Sequence, residues 1–258
     1  MKIEEEENTV LQVKAFDNQL KASSGIHPDL LQPPFTLLLV APKGSGKSTA
    51  ILRLIYGNKR AKGKKTKDAH HRMYRGFFDK VYVFSPTWQL DAKCDRCGIP
   101  DDQIFDDQSL YEETIAVIIA GQQADIEADG KEDAPSLLLI FSDLAGTKLF
   151  SSKKGIMNKL AFNHRYYNIS LIIDTQSLRQ INTAFRENLS GIMLFSGISN
   201  RKEITKLTDE YLGKYTEKQA LEILDYVFDD SAFNFLYINF QQRGALFRNF
   251  NRITITEA

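Results

Sequence analysis

The segment Phe35-Thr36-Leu37-Leu38-Leu39-Val40 runs directly into Ala41-Pro42-Lys43-Gly44-Ser45-Gly46-Lys47-Ser48-Thr49, and no other stretch limits the fold so narrowly. The first six residues read as a buried strand and the glycine-bearing stretch as a tight turn. Ser48–Tyr56, with Ile51, Leu52 and Ile55 at helical spacing, reads as a helix that stops at Gly57. Strand, glycine turn and helix in that order form a P-loop. Gly44 and Gly46 let successive amides point into one concavity, and the helix start adds unpaired N–H groups and a positive dipole end. The ligand this favours is an anionic phosphate chain cradled by residues 42–49. Lys47 is spaced to reach β- and γ-phosphates, Ser48 to join the shell of a Mg²⁺ ion bridging them, and Thr49 to lie behind it. Where the G-x-x-x-x-G-K-[ST] pattern begins with glycine this chain has Ala41, small enough for a strand end.

Further apolar runs follow at Lys80–Ser85, Leu137–Phe141, Ile169–Ile173 and Ile192–Phe195, alternating with helical patterns. That alternation predicts βαβ units and a mostly parallel sheet. Phe233–Gln241 and Ala245–Phe250 flank Gln242-Arg243-Gly244 and read as a hairpin. Glu217–Phe228 reads as a helix with Thr216 and Gln219 spaced as a capping box, within a helical layer beginning near Leu207. With 258 residues, 43% of them apolar, and no internal repeat, one α/β unit over 34–258 is expected. Residues 1–33, with Pro28, Pro33 and Pro34 favouring extended chain, read as an N-terminal extension. Residues 59–76 form a basic loop within the unit, and 200–258 its C-terminal helices and hairpin.

No apolar run approaches the roughly 18 residues of a membrane-spanning helix, and the Met1–Glu7 start lacks the pattern of a secretory signal. The two cysteines, Cys94 and Cys97, have metal-ligand spacing without a second pair, so they read as loop residues in a reducing compartment rather than a zinc site. Trp88 reads as core packing at a strand end. Net charge is zero, which argues against a surface that coats nucleic acid everywhere. The charge is nevertheless uneven. Lys59–Arg75 holds eight basic residues, Lys62, Lys64, Lys65 and Lys67 among them, against Asp68; 101–133 holds eleven carboxylates against Lys131 and reads as an acidic, mostly helical face. The basic stretch suits either phosphate contact or a solvated insertion.

Leu137-Leu138-Leu139-Ile140-Phe141-Ser142-Asp143 looks like a Walker B strand, in which a carboxylate at the tip helps to hold Mg²⁺. Here Ser142 falls where the magnesium carboxylate belongs and Asp143 where the water-activating acid belongs. Three readings stand: Asp143 as base beside a weak metal neighbour, Asp143 recruited to the metal by a local backbone adjustment, or a weakened hydrolase. The Ile169–Ile173 run ends in Asp174-Thr175-Gln176, whose Gln176 can orient the attacking water or sense the γ-phosphate, or simply face solvent in a βα turn.

In this order the pieces resemble the DNA-packaging ATPases of large DNA viruses and virophages, the poxvirus-type branch of the FtsK/HerA superfamily. The resemblance covers roughly residues 25–200. It rests on His27-Pro28, Pro33-Pro34-Phe35, Ala41–Thr49, Val83-Phe84-Ser85-Pro86-Thr87 and Phe141–Gly146. It continues through Asn163-His164-Arg165-Tyr166-Tyr167-Asn168-Ile169-Ser170, Gln176 and Phe185-Arg186-Glu187-Asn188. Ser142 is the main departure. The resemblance implies a RecA-like P-loop NTPase of the ASCE class, with the Gln176 strand between the P-loop and Walker B strands. It implies ATP and Mg²⁺, a pentameric or hexameric ring acting on double-stranded DNA, and partners among the capsid vertex or shell proteins. The place of action would be the host cytoplasm, a viral factory or the virion. Arg186 and Arg165 are the candidates for an arginine that meets the γ-phosphate of the neighbouring subunit. A small-molecule kinase or GTPase, and a nucleotide-binding assembly subunit that scarcely hydrolyses, are the competing readings.

Overall fold

The computed structural model describes residues 25–57, 73–95, 97–144, 147–152, 154–198 and 200–255. Each apolar run of the sequence becomes a strand: β1 (Thr36–Val40), β2 (Lys80–Phe84), β4 (Leu137–Phe141), β5 (Ile169–Thr175) and β6 (Gly191–Phe195). A two-residue edge strand, β3 (Ile104–Phe105), joins them, and β7 (Phe235–Asn239), β8 (Ala245–Arg248) and β9 (Asn251–Ile253) complete one nine-stranded sheet. Its order is β3-β2-β4-β5-β1-β6-β7-β8-β9, parallel through β6 and antiparallel beyond it. β5 thus lies between β1 and β4, where the resemblance expects it. The helices are α1 (Lys47–Tyr56), α2 (Ala92–Asp95), α3 (Tyr111–Asp129), α4 (Lys148–Ser151), α5 (Ile156–Asn163), α6 (Thr183–Arg186), α7 (Arg201–Tyr211) and α8 (Glu217–Phe228). Thr216 and Gln219 close the expected capping box on α8. This is the mostly parallel, helix-flanked sheet of a RecA-like P-loop NTPase, with antiparallel strands at its C-terminal edge.

Strand parity divides the core into two layers. Leu38 and Val40 of β1, Leu139 and Phe141 of β4, and Leu171 and Ile173 of β5 face a layer that also buries α3, α5, α7 and α8. Leu37, Leu39, Leu138, Ile140 and Ile172 face the opposite layer, which buries Ile51, Leu54 and Ile55 of α1. Even-numbered residues of β4 and β5 therefore lie on the P-loop side, a parity that decides which strand-tip groups reach the site.

Residues 25–33, read as part of an extension, belong to the folded unit instead. Ile26, Leu30 and Leu31 are buried, Tyr74 donates its hydroxyl to the Leu31 carbonyl at 2.9 Å, and Asn239 donates to the Asp29 carbonyl at 3.0 Å. The prolines do keep this stretch from being helical, but it runs as a strap of turns and bends, with the Leu30 amide donating to the His27 carbonyl at 3.0 Å, and still buries its side chains. Leu31 packs over Gly191, where a Cβ would lie 3.1 Å from the Leu31 methyls and 2.9 Å from the Ile238 carbonyl oxygen of β7. The strap needs a glycine beneath it.

Candidate functional site

The P-loop leaves β1 and turns on two left-handed glycines, Gly44 (φ 83°) and Gly46 (φ 98°), into α1. Gly46 occupies the N-cap and offers no side chain, so the first amides of α1 have no side-chain acceptor there. Lys47 Nζ donates to the Ala41 carbonyl at 2.8 Å and to the Pro42 carbonyl at 3.4 Å, and Ser45 Oγ to the Pro42 carbonyl at 2.7 Å. Burial lowers the Lys47 ammonium below its ordinary pKa, opposed by the negative charges of Asp174 and, more weakly, Asp143. The loop forms one wall of a cleft of about 900 Å³. Ser142, Asp143, Asp174 and Gln176 line the cleft as well.

Ser142 and Asp143 stand at the end of β4. Phe141 pairs with Ile173 across the ladder, so one step on Ser142 meets Asp174, both on the P-loop face. Ser142 Oγ donates to Asp174 Oδ2 at 2.6 Å, and the Asp143 amide donates to Asp174 Oδ1 at 3.1 Å. Asp143 takes a left-handed conformation (φ 56°), which lets an odd-numbered side chain reach the cleft beyond the strand end, where its Oδ2 accepts from Thr87 Oγ1 at 3.1 Å. Asp174 is the group the sequence reading passed over. It is only 6% exposed, and burial raises its pKa, opposed by the Ser142 and Asp143 hydrogen bonds and by Lys47. The available signal was a carboxylate of even parity at a strand tip beside the P-loop strand.

Gln176, two residues on and exposed, keeps the P-loop side of the sheet. Arg186 does not suit the role read for it. It is 6% exposed, with Nη1 donating to the Leu178 and Ile181 carbonyls at 2.8 Å each. Nη2 donates to Glu210 Oε1 on α7 at 2.8 Å and to Thr183 Oγ1 at 3.2 Å. A guanidinium committed inside its own subunit is not presented to a neighbour, so the structure corrects this expectation: Arg186 fastens the segment after β5 to α7. Arg165 is exposed after α5, at the end of the sheet away from the P-loop. It adjoins His164, whose Nδ1 lies 3.0 Å from the Ile169 carbonyl and whose pKa burial lowers to about 4, so the ring is a neutral donor. Lys62, Lys64, Lys65 and Lys67 lie outside the described residues.

Cys94 sits within α2 and is buried, with Cys97 in the following turn, rather than in open loop. Among the described residues no group of three or more His, Cys, Asp or Glu side chains is placed to hold a metal ion. The cleft does fit Mg²⁺ with a polyphosphate, since that ion takes hard oxygen donors and needs only one or two carboxylates besides phosphate and water. Ser48, Ser142, Asp143 and Asp174 supply such donors. Trp88 is buried in the core layer beside α1, as expected.

Comparison with solved structures bears on the fold. The genome packaging NTPase B204 from Sulfolobus turreted icosahedral virus 2, in complex with AMPPCP, superposes with a TM-score of 0.57 at 12% identity, over 87% of this chain and 100% of that one. The same protein in complex with sulfate gives 0.56 at 14% identity, over 87% and 98%. B204, the DNA-packaging ATPase from Sulfolobus turreted icosahedral virus, gives 0.55 at 13% identity, over 88% and 100%. No protein-family model and no curated protein matches the sequence. Among the described residues no helix is long and apolar enough to cross a membrane.

Proposed function

We propose that the chain is a ring-forming ATPase that hydrolyses ATP to move double-stranded DNA, without regard to its sequence, into a viral capsid. The observation that carries this reading is the cleft, in which a phosphate loop at the head of α1 faces carboxylates at the tips of two neighbouring strands. The ATP phosphates lie against the 44–49 amides, and Lys47 exchanges neutral carbonyl acceptors for charged phosphate oxygens, a stronger hydrogen bond. Ser48 and the strand-tip oxygens would hold Mg²⁺. That ion, when bound, neutralises charge on the β- and γ-phosphates. Asp143, held by Thr87, accepts the proton of the attacking water, and Gln176 orients that water against the γ-phosphate. Arg165 of a neighbouring subunit remains the candidate to meet developing charge. Lys62, Lys64, Lys65 and Lys67 contact DNA phosphates, and a ring places several copies of that loop around one duplex. The fold likeness to genome-packaging NTPases and the motif series of the sequence both support the assignment.

A second reading, a nucleotide-binding assembly subunit that hydrolyses slowly, is favoured by one observation: Ser142 stands where a Walker B strand carries its acid. Steady-state ATP hydrolysis with and without double-stranded DNA separates the two. The motor reading expects turnover that DNA stimulates and Lys47→Ala abolishes. Nucleotide binding with turnover indifferent to DNA would instead favour the assembly role.

A further inference from the structure

We propose that the metal-side carboxylate of this site has moved one strand across the sheet: Asp174 on β5, presented together with Ser142 on β4, supplies the charge that the tip of β4 lacks. The inference rests on the nucleotide-binding reading above and specifies how that site takes a divalent cation.

Three features lead to it. The first is position. Parity puts Ser142 and Asp174 on the P-loop face, and the β4–β5 register sets them opposite one another. Adjacent strands are about 4.8 Å apart, so a carboxylate transferred from one to the other stays near the same ion. On its other side Asp174 pairs with Leu39 of β1, the strand that feeds the P-loop.

The second feature is unbalanced charge. Asp174 is buried, yet among the described residues no Lys, Arg or His nitrogen forms an ion pair with it; Lys47 acts on it only through space. A buried carboxylate without a close cation is costly, and a divalent ion in the cleft it lines would offset that cost. Its two hydrogen bonds come from a hydroxyl and an amide, which orient the group without neutralising it.

The third is the exchange itself. A Walker B arrangement has its acid on the β4 strand; here the hydroxyl is on β4 and the acid on β5, joined by a 2.6 Å hydrogen bond. The hydrogen bond holds the two oxygens side by side at the mouth of the cleft that both residues line. Asp143, turned toward Thr87, is then left for the water.

Reversing the exchange tests the idea. The ratio of affinities for a fluorescent ATP analogue with Mn²⁺ and with EDTA would be measured on the whole chain. The Mn²⁺ signal in electron paramagnetic resonance gives an independent readout. Asp174→Asn preserves shape and one acceptor but removes the charge, and is expected to lower the ratio at least tenfold. Ser142→Asp combined with Asp174→Ser is expected to restore it to within about threefold of the unaltered chain. Should Asp174→Asn fail to fold, the double variant decides alone. Nucleotide binding with an unchanged ratio in Asp174→Asn, or a folded double variant without Mn²⁺ retention, overturns this inference and leaves the nucleotide reading intact. An unaltered chain that binds no nucleotide in either buffer overturns both.

Discussion

Phe233 is 65% exposed, yet a Cβ on Gly46 would lie 3.4 Å from its Cδ1. With Phe235 and Phe250 it lines the same cleft as the P-loop, so an open aromatic surface adjoins a phosphate cradle. An exposed ring beside a polyphosphate site suits the stacking of a base, which is worth about 1–3 kcal/mol by alanine substitution where nucleobases stack on aromatic side chains. Phe233→Ala is expected to weaken ATP binding about five- to 150-fold. Inorganic triphosphate affinity should hold, and the melting temperature should move little because the ring is already in solvent. Titration of both ligands checks the point, and equal losses for ATP and triphosphate would count against stacking.

Among the elements, α7 governs the segment that follows β5. Glu203 of α7 accepts from the Leu178 amide and from Ser177 Oγ at 3.0 Å, and Glu210, two turns on, holds Arg186 at 2.8 Å. Together they fix the Gln176–Arg186 stretch on one helix face. Arg186→Ala strands the Ile181 carbonyl, leaves the Leu178 carbonyl only the Ile181 amide at 3.2 Å and Glu210 only Lys206 at 3.9 Å, at a cost of about 3 kcal/mol. Arg186→Lys should recover only part of it, since an ammonium cannot span two carbonyls and a carboxylate in the guanidinium plane. Denaturant midpoints measure both variants, and unchanged midpoints would return Arg186 to the list of groups free to act on a neighbour.

Apolar runs of four to six residues announce the main strands, and the capping box announces α8. β3 and β9, of two and three residues, are too short to show a period. The apolar run Ile169–Ile173 stops before Asp174, and a carboxylate is rare in a buried strand. β5 carries it because hydrogen bonds arrive from the next strand, 31 and 32 positions away in sequence. Arg186 misled for the same reason: its carboxylate partner lies 24 residues on, while arginine by itself suggests solvent. The P-loop was legible because all its determinants are contiguous, and the groups facing it were not because they meet only across the sheet.

At the scale of the whole molecule, zero net charge means that the DNA contact proposed above would have to come from local patches. Replacing Lys62, Lys64, Lys65 and Lys67 with alanine is expected to weaken duplex binding equally for all sequences. It should also flatten the log–log salt dependence by about three to four, close to 0.9 per lost phosphate contact. Fluorescence anisotropy across a salt series gives the slope, and an unaltered slope would assign those lysines to solvent.

The central position of β5 also bears on how the chain acquires its fold. Residues 36–56 can assemble a glycine turn and a helix from neighbours in sequence, but Phe35 meets Ser170 only across 135 positions. High contact order of this kind slows pairing, because the intervening loop must close before any contact rewards it. A chain caught before β5 inserts between β1 and β4 would own a phosphate cradle with nothing opposite it. Recovery of metal-dependent nucleotide affinity during refolding would therefore report the closing of the middle of the sheet, a clock built into the order of its strands.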